Sequence, residues 1–235
     1  MNAYFQSSTD ETESVHTYFF KPASDFIFTA GQFIEMTVPH NDTDSRGTKR
    51  WFTISSSPDR ELLSITTKLT SEDGSTYKKA LRRLVPGDEV QISAPMGDFV
   101  LPKLLQTPII FVGVGIGLTP FLSMLRWLTD MKEGRPIKLI HAVSNEEDMV
   151  FQDIFDDAKV HATVVVSNPS PSWGGVRGHV TAEMILGLEE PTPDSLVYIS
   201  GPEQIVESLT KDLVKTGLRK DQIVGDYFPG YPDPA

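Results

Sequence analysis

Residues Ile109 to Pro120 read IIFVGVGIGLTP. The apolar run predicts a strand, and Gly113, Gly115 and Gly117 predict a tight turn. Pro120 predicts the first turn of a helix, where its missing N–H costs nothing. Glycines in such a turn let backbone N–H groups approach an anion, and the helix N-terminus adds a favourable partial charge. Strand, glycine turn and helix in this order form the context that a dinucleotide-binding reading requires; the competing reading is a plain tight turn.

Toward the C-terminus the alternation continues. Strands are predicted at Pro108–Val112, Ile137–Val143, Ala162–Val166 and Leu196–Ser200, with helices near Pro120–Lys132, Met149–Ala158, Thr181–Leu186 and Ile205–Thr216. Alternation of this kind means βαβ units on a parallel sheet, whose ligands gather at the carboxyl ends of the strands. Ser200-Gly201-Pro202-Glu203 closes the last of those strands, so it is expected to face the same crevice as Gly115.

Toward the N-terminus the pattern changes to short strands and turns: His16–Phe20, Gln32–Val38, Trp51–Ser55, Leu62–Lys68 and Glu89–Ser93. Gly31, Asn41-Asp42, Pro58-Asp59 and Pro86-Gly87 punctuate them, and one helix is expected near Thr76–Leu84. Such spacing suggests an antiparallel barrel. The fold class is therefore β plus α/β: a β-barrel over residues 1–104, then a doubly wound parallel-sheet domain over residues 105–235, joined near Pro102–Pro108. Tyr4-Phe5-Gln6-Ser7 fits either an expression-tag remnant or a first strand.

Composition narrows the function. Of the 235 residues, 21 are Lys or Arg and 32 are Asp or Glu, a formal net charge of −11, which opposes binding to nucleic acid or anionic lipid. The first 104 residues hold 11 basic against 14 acidic residues and the remainder 10 against 18, so the barrel half repels an anionic ligand less. With no cysteine, disulfides, thiolate zinc sites, cysteine-held iron–sulfur clusters and cysteine nucleophiles are excluded. No metal spacing joins His16, His40, His141, His161 and His179, so no metal site is expected. There is no Gly-Lys-Ser/Thr phosphate loop and no Gly-x-Ser-x-Gly elbow. No basic, apolar leader opens the chain and no stretch is long enough for a membrane span, so a cytoplasmic protein is expected, and a monomer. Lys78, Lys79, Arg82 and Arg83 read as a solvated helical face or a dock for an acidic electron carrier.

Arg50-Trp51-Phe52-Thr53 puts Arg50 and Phe52 on one face of a strand, a mix suited either to an edge strand or to a flat aromatic ligand carrying phosphate. Together with Gly74-Ser75-Thr76, Gly87-Asp88, Pro95-Met96-Gly97-Asp98-Phe99, Gly115–Pro120 and Ser200-Gly201-Pro202, it resembles in order and spacing the ferredoxin–NADP reductase superfamily of flavoproteins, over nearly the whole chain.

That resemblance implies FAD as cofactor and NADH or NADPH as substrate. It implies an FAD site of Arg50, Trp51, Phe52 and Thr53, of backbone at Thr66, Thr67 and Lys68, and of Gly74, Ser75 and Thr76. Arg50, Ser75 and Thr76 would hold pyrophosphate, Phe52 would stack on the flavin ring and Thr53 would bond near its N5. The pyridine nucleotide would take Gly115, Gly117, Thr119, Pro120, Gly201 and Pro202, with Ser144, Asp148 and Asn168 near the adenine ribose, where the acidic run suits NADH. Thr53, Ser200, Asp226 and Phe228 are the expected catalytic residues. Phe52 replaces the usual tyrosine and Ser200 the usual cysteine of the pattern. The resemblance implies hydride transfer from the nicotinamide to the flavin, then electron transfer to an external acceptor: ferredoxin or another small redox protein, or alternatively a membrane electron-transfer complex or a ferric chelate. A non-catalytic regulatory module is the reading from another class, and the intact Arg50–Thr53 segment argues against it.

Overall fold

Aromatic and β-branched runs in the first half form six antiparallel strands: β1 (Asn2–Asp10), β2 (Val15–Pro22), β3 (Phe33–Thr37), β4 (Lys49–Thr53), β5 (Leu63–Lys68) and β6 (Glu89–Ile92). The structure, a computed structural model, describes residues 1–69, 75–188 and 192–228. Residues 2–10 are a true first strand: β1 pairs with both β2 and β6, and Ala3 and Phe5 are buried in strict alternation. The order is β4-β3-β6-β1-β2-β5. A bridge between Ile54 and Ile65, with Ser55 N–H donating to the Ser64 carbonyl at 2.8 Å, brings the two outer strands together. Closure removes the exposed edges and leaves a barrel filled by residues such as Phe20, Ile34, Met36, Ile54 and Ile65. Helix α1 (Thr76–Arg82) plugs one end by burying Tyr77 and Leu81, one turn apart.

The second half alternates as its sequence predicts: β7 (Ile109–Val114), α2 (Thr119–Met131), β8 (Ile137–Val143), α3 (Gln152–Asp157), β9 (Ala162–Val166), β10 (Val176–Arg177), α4 (Ala182–Leu188), β11 (Leu196–Pro202), α5 (Glu203–Lys215) and β12 (Ile223–Phe228). The strands form a parallel sheet of order β10-β9-β8-β7-β11-β12. One apolar cluster packs α2 and α3 on one face, and another packs α4 and α5 on the other. After β7 the chain steps outward through β8 and β9, then returns through β11 on the other side. The carboxyl ends of β7 and β11 therefore flank the point where the winding reverses, which is where open α/β sheets bind ligands.

The two sheets meet along the start of α2. Ser123 Oγ donates to the Ser56 carbonyl at 2.7 Å, Arg126 Nη1 to the Ser55 carbonyl at 2.5 Å, and Tyr198 Oη to the Val100 carbonyl at 2.8 Å. Phe99 wedges between Phe121 and Tyr198, with ring centroids 5.7 and 5.2 Å away. No described helix is long and apolar enough to cross a membrane.

Candidate functional site

The glycine stretch does not open α2 directly. Gly115–Leu118 forms a single 3-10 turn, and α2 begins at Thr119 with Pro120 in its first turn. Gly115 sits at φ +56° with open space beyond its α-carbon, so the turn presents bare backbone to the crevice. Gly117 faces inward: a β-carbon there would lie 2.2 Å from the Ser200 carbonyl oxygen. The absent side chain lets the turn rest on the end of β11, and so the two predicted nucleotide segments come together. Thr119 Oγ1 donates to the Ile116 carbonyl at 3.0 Å, tying the turn to the helix.

Residues predicted for different ligands share one cavity of about 40 Å³. Gly115, Thr119, Ser144 and Asp148 line it from the parallel sheet, and Lys68 and Val15 from the barrel. Lys68 Nζ lies 2.7 Å from Asp148 Oδ1, an ion pair between the two halves at the mouth of that cavity. Beneath the turn, His141 is almost fully buried, and burial pushes its imidazole down to about 4, so it is neutral. Its ring meets Phe155 edge-on. Asn168 N–H donates to the Ser144 carbonyl at 2.8 Å, while Arg177 Nη2 is held by the carbonyls of Trp173 and Pro171.

On β4, Arg50 and Phe52 share a face as predicted. The Arg50 guanidinium lies 4.9 Å from the centre of the Tyr77 ring, and Phe52 packs on the same ring at 5.9 Å. Trp51 is turned to solvent, 49% exposed, against Phe33. Thr53 is 3% exposed, and its hydroxyl has no hydrogen-bond partner among the described residues. A buried hydroxyl in that state costs roughly 1–3 kcal/mol, so the position suits a ligand polar atom. Thr66 engages its hydroxyl with Thr17 and Ser55, and its backbone belongs to the ladder between β2 and β5. Ser75 caps α1 by accepting from Lys78 N–H at 3.3 Å. Gly74 lies outside the described residues.

Two findings depart from the sequence reading. Lys78 is not part of a solvated face; its ammonium turns inward and donates to the Lys68 carbonyl at 2.7 Å. Burial, and then the charges of Arg50, Arg46 and Arg82, hold it below the usual lysine range. The exposed basic face is reduced to Lys79, Arg82 and Arg83. Second, Asp44 and His40 converge on Thr76, and Arg46 is bonded to Asp44. No pattern signals this, because the contact spans 32 residues and lies in a loop.

At the end of β11, Ser200 is fully buried and pairs in register with Asp226 of β12, its Oγ 3.5 Å from Asp226 Oδ2. Burial pushes the Asp226 carboxyl up to about 6, the Ser200 hydroxyl opposes that shift, and the charge of Asp98 reinforces it. Phe228 ends β12 opposite Pro202 in the ladder. These residues gather at the crevice a polar floor, a bare glycine turn and a proton-holding carboxyl.

Residues 111–211 match the family model described as an oxidoreductase NAD-binding domain. The chain is 25% identical to Flavohemoprotein A of Dictyostelium discoideum over 93% of its own length and 58% of that protein's. It is 29% identical to ferredoxin–NADP reductase B of Sorangium cellulosum, over 82% of this chain and 81% of the other. Among solved structures, the flavohem-like FAD/NAD-binding domain of nitric oxide dioxygenase from Vibrio cholerae superposes with a TM-score of 0.82 at 19% identity, over 97% of this chain and 98% of that domain. The first four curated relatives are longer proteins, of which this chain spans 56–62%.

Proposed function

From the chain's membership of the ferredoxin–NADP reductase superfamily, we propose that it is an NAD(P)H-dependent flavoprotein reductase, with FAD held by residues 1–104 and the pyridine nucleotide by residues 105–235. The observation that carries this reading is the meeting of Gly117 with Ser200 at the winding reversal, directly beside Asp226. Bound there, FAD would supply hydride acceptance from the nicotinamide and onward electron transfer to an external acceptor, and the protein supplies orientation and electrostatics.

The residues present fit that cofactor. Thr53 offers a buried hydroxyl, without a partner among the described residues, on the strand expected to lie along the ring. Arg50 and Lys78 concentrate positive charge where pyrophosphate is expected, in a chain whose net charge is −11. Phe52, on the Arg50 face of β4, offers a ring for stacking. Ser200 and Asp226 would hold a proton beside the reacting atoms, and Gly115 would let the nucleotide phosphates approach backbone N–H groups. A ferredoxin or another small redox protein is the acceptor we favour, because a surface face of Lys79, Arg82 and Arg83 suits an acidic carrier.

Anaerobic addition of NADH to the purified protein tests the reading: bleaching of a flavin spectrum is expected, and a colourless protein that gains no flavin from added FAD overturns it. Heat-released cofactor is expected to chromatograph as FAD and not FMN. Arg50→Ala is expected to lower flavin occupancy well before it lowers the melting temperature, since it removes a charge-assisted contact to ligand; equal losses of both would make Arg50 a structural residue.

NADH is the expected donor. Glu146, Glu147 and Asp148 crowd the ribose end, Glu146 is fixed by Ser170 N–H at 2.7 Å, and Arg177 is drawn off to loop carbonyls. A 2′-phosphate at about 6 Å from one such carboxylate meets repulsion on the order of 2–3 kcal/mol at an effective dielectric near 20, before screening. Half of that is roughly tenfold in kcat/KM. An NADPH value equal to that for NADH would show that Arg177 leaves its carbonyls to pair with the phosphate.

A further inference from the structure

We propose that Glu146 is a positioning residue for coenzyme choice: by tying down the loop between β9 and β10, it keeps Arg177 turned away from the 2′ position of the adenine ribose. This assignment rests on the nucleotide reading above and deepens it, because it makes the preference for NADH depend on the place of a carboxylate as well as on its charge.

The backbone puts Arg177 beside the expected ribose site. In the ladder of β10 with β9, Arg177 stands opposite Val166, and Gly178 N–H donates to the Val166 carbonyl at 2.8 Å. Asn168 follows Val166 by two residues, and its N–H is bonded to the Ser144 carbonyl at 2.8 Å. A guanidinium carried at this point meets a 2′-phosphate or misses it according to the direction of its side chain.

The loop sets that direction. Arg177 Nη2 donates to the Trp173 carbonyl at 2.5 Å and to the Pro171 carbonyl at 3.2 Å. Those carbonyls are presented by a tight turn. Trp173 N–H donates to the Ser170 carbonyl at 3.1 Å, the Trp173 indole N–H donates to the Val176 carbonyl at 3.1 Å, and the Ser170 and Ser172 hydroxyls lie 2.9 Å apart. The indole rests on Gly175, where a β-carbon would come within 2.5 Å of the ring. All of these contacts are internal to the loop. Glu146 fastens it from outside: Ser170 N–H donates to Glu146 Oε1 at 2.7 Å, a charge-assisted bond across 24 residues. Glu146 begins the short 3-10 turn Glu146–Asp148 that follows β8, so the bond joins the carboxyl end of β8 to the loop that leaves β9. Without that tie the loop opens more often, and an opened loop gives up the carbonyls that hold Arg177. A phosphate dianion then outcompetes two neutral carbonyls for the guanidinium.

The test separates place from charge with two conservative variants. Glu146→Gln keeps an oxygen that accepts from Ser170 N–H and removes the charge. Glu146→Asp keeps the charge and falls one methylene short of Ser170. Glu147 and Asp148 remain in both. Binding of 5′-AMP and of its 2′-phosphorylated counterpart would be measured by titration calorimetry on the purified chain, beside kcat/KM for NADH and NADPH. We expect Glu146→Asp to gain about fivefold for the 2′-phosphorylated ligand relative to 5′-AMP, with 5′-AMP itself unchanged, and Glu146→Gln to stay within about twofold of wild type. Arg177→Ala should leave the wild-type ratio as it is, yet erase the gain when added to Glu146→Asp, and the kcat/KM ratios should follow the same order. A gain in Glu146→Gln equal to or above that in Glu146→Asp overturns the assignment, since charge alone would then discriminate. Equal effects of Arg177→Ala in both backgrounds overturn it too, because Arg177 would not be under the control of Glu146. Parallel loss of both nucleotides in Glu146→Asp makes Glu146 a purely structural residue. A wild-type chain that binds neither nucleotide fails the nucleotide reading itself, and this assignment falls with it.

Discussion

Gly117→Val is expected to lower the melting temperature by 6 °C or more and to abolish NADH-dependent reduction. A β-carbon at residue 117 would stand 2.2 Å from the Ser200 carbonyl oxygen, 2.5 Å from the Ser200 carbonyl carbon and 2.6 Å from the Gly201 α-carbon. All three atoms are backbone of β11, which is held on one side by β7 and on the other by β12, so none can swing aside as a side chain could. Overpacking against mobile side chains costs about 1–3 kcal/mol, and a collision with fixed strand backbone exceeds that range. At about 2–4 °C per kcal/mol for a chain of this size, 3 kcal/mol gives the stated shift. Gly115→Ala is the matching control. It meets no atom within 4 Å, and its penalty is confined to φ +56°, about 1 kcal/mol. Thermal melts of the two variants decide the matter: if Val at 117 melts within 2 °C of wild type, the glycine turn does not rest on β11, and the crevice is not assembled as described.

The contrast between those two glycines shows what could be read from sequence. An apolar run, a glycine turn and a proline at a helix start each have a local signature, so β7, the turn and α2 are legible within a residue or two. That Gly115 faces the crevice while Gly117 faces β11 is a tertiary fact, and both are simply Gly in the string. β12 was harder to see, because Gly225 and Asp226 weaken its strand character; the register with β11 sustains it. β10, two residues long, is too short to carry any period. The inward turn of Lys78 has a related cause. Helical spacing alone puts it beside Arg82 on a polar face, and only the position of β5, whose Lys68 carbonyl takes its ammonium, explains the inward turn. The clasp of Asp44 and His40 on Thr76 stands furthest from any local rule, since it joins a hairpin loop to a helix start through side chains with no periodicity. The serines after β4 behave likewise: nothing local to Ser55 and Ser56 signals that their carbonyls receive Arg126 and Ser123 from α2 and so seat one half of the chain on the other.

Asp226 carries the second large effect, and its direction follows from burial. An aspartate in the unfolded chain titrates near 3.8; in the fold it is pushed up to about 6, first by burial and further by Asp98, with Ser200 pulling the other way. Because the folded value is the higher one, the protonated acid is the form the fold prefers. Its contribution to stability is complete below about pH 4 and is lost as the pH rises through about 6, leaving a half-buried carboxylate above that. The difference between 3.8 and about 6 corresponds to about 3 kcal/mol at most, and partial solvent access reduces this to about 1–3 kcal/mol. Asp226→Asn, which keeps the shape and removes the charge, should therefore melt several degrees above wild type at pH 7.5 and together with it at pH 4. On the proposed reaction the acid stands beside Ser200, where the nicotinamide and flavin would meet, and holds a proton close to physiological pH. The stabilised Asn variant is accordingly expected to turn over NADH more slowly and to lose the inflection near pH 6 that wild-type kcat should show. Melting curves at pH 4, 6 and 7.5 settle the stability half of this. An Asn advantage that does not shrink toward pH 4 would mean that packing, and not the carboxylate charge, separates the two proteins. Unchanged kcat with an unchanged pH profile would remove Asp226 from the reacting site, leaving it as a tolerated buried acid at the end of β12.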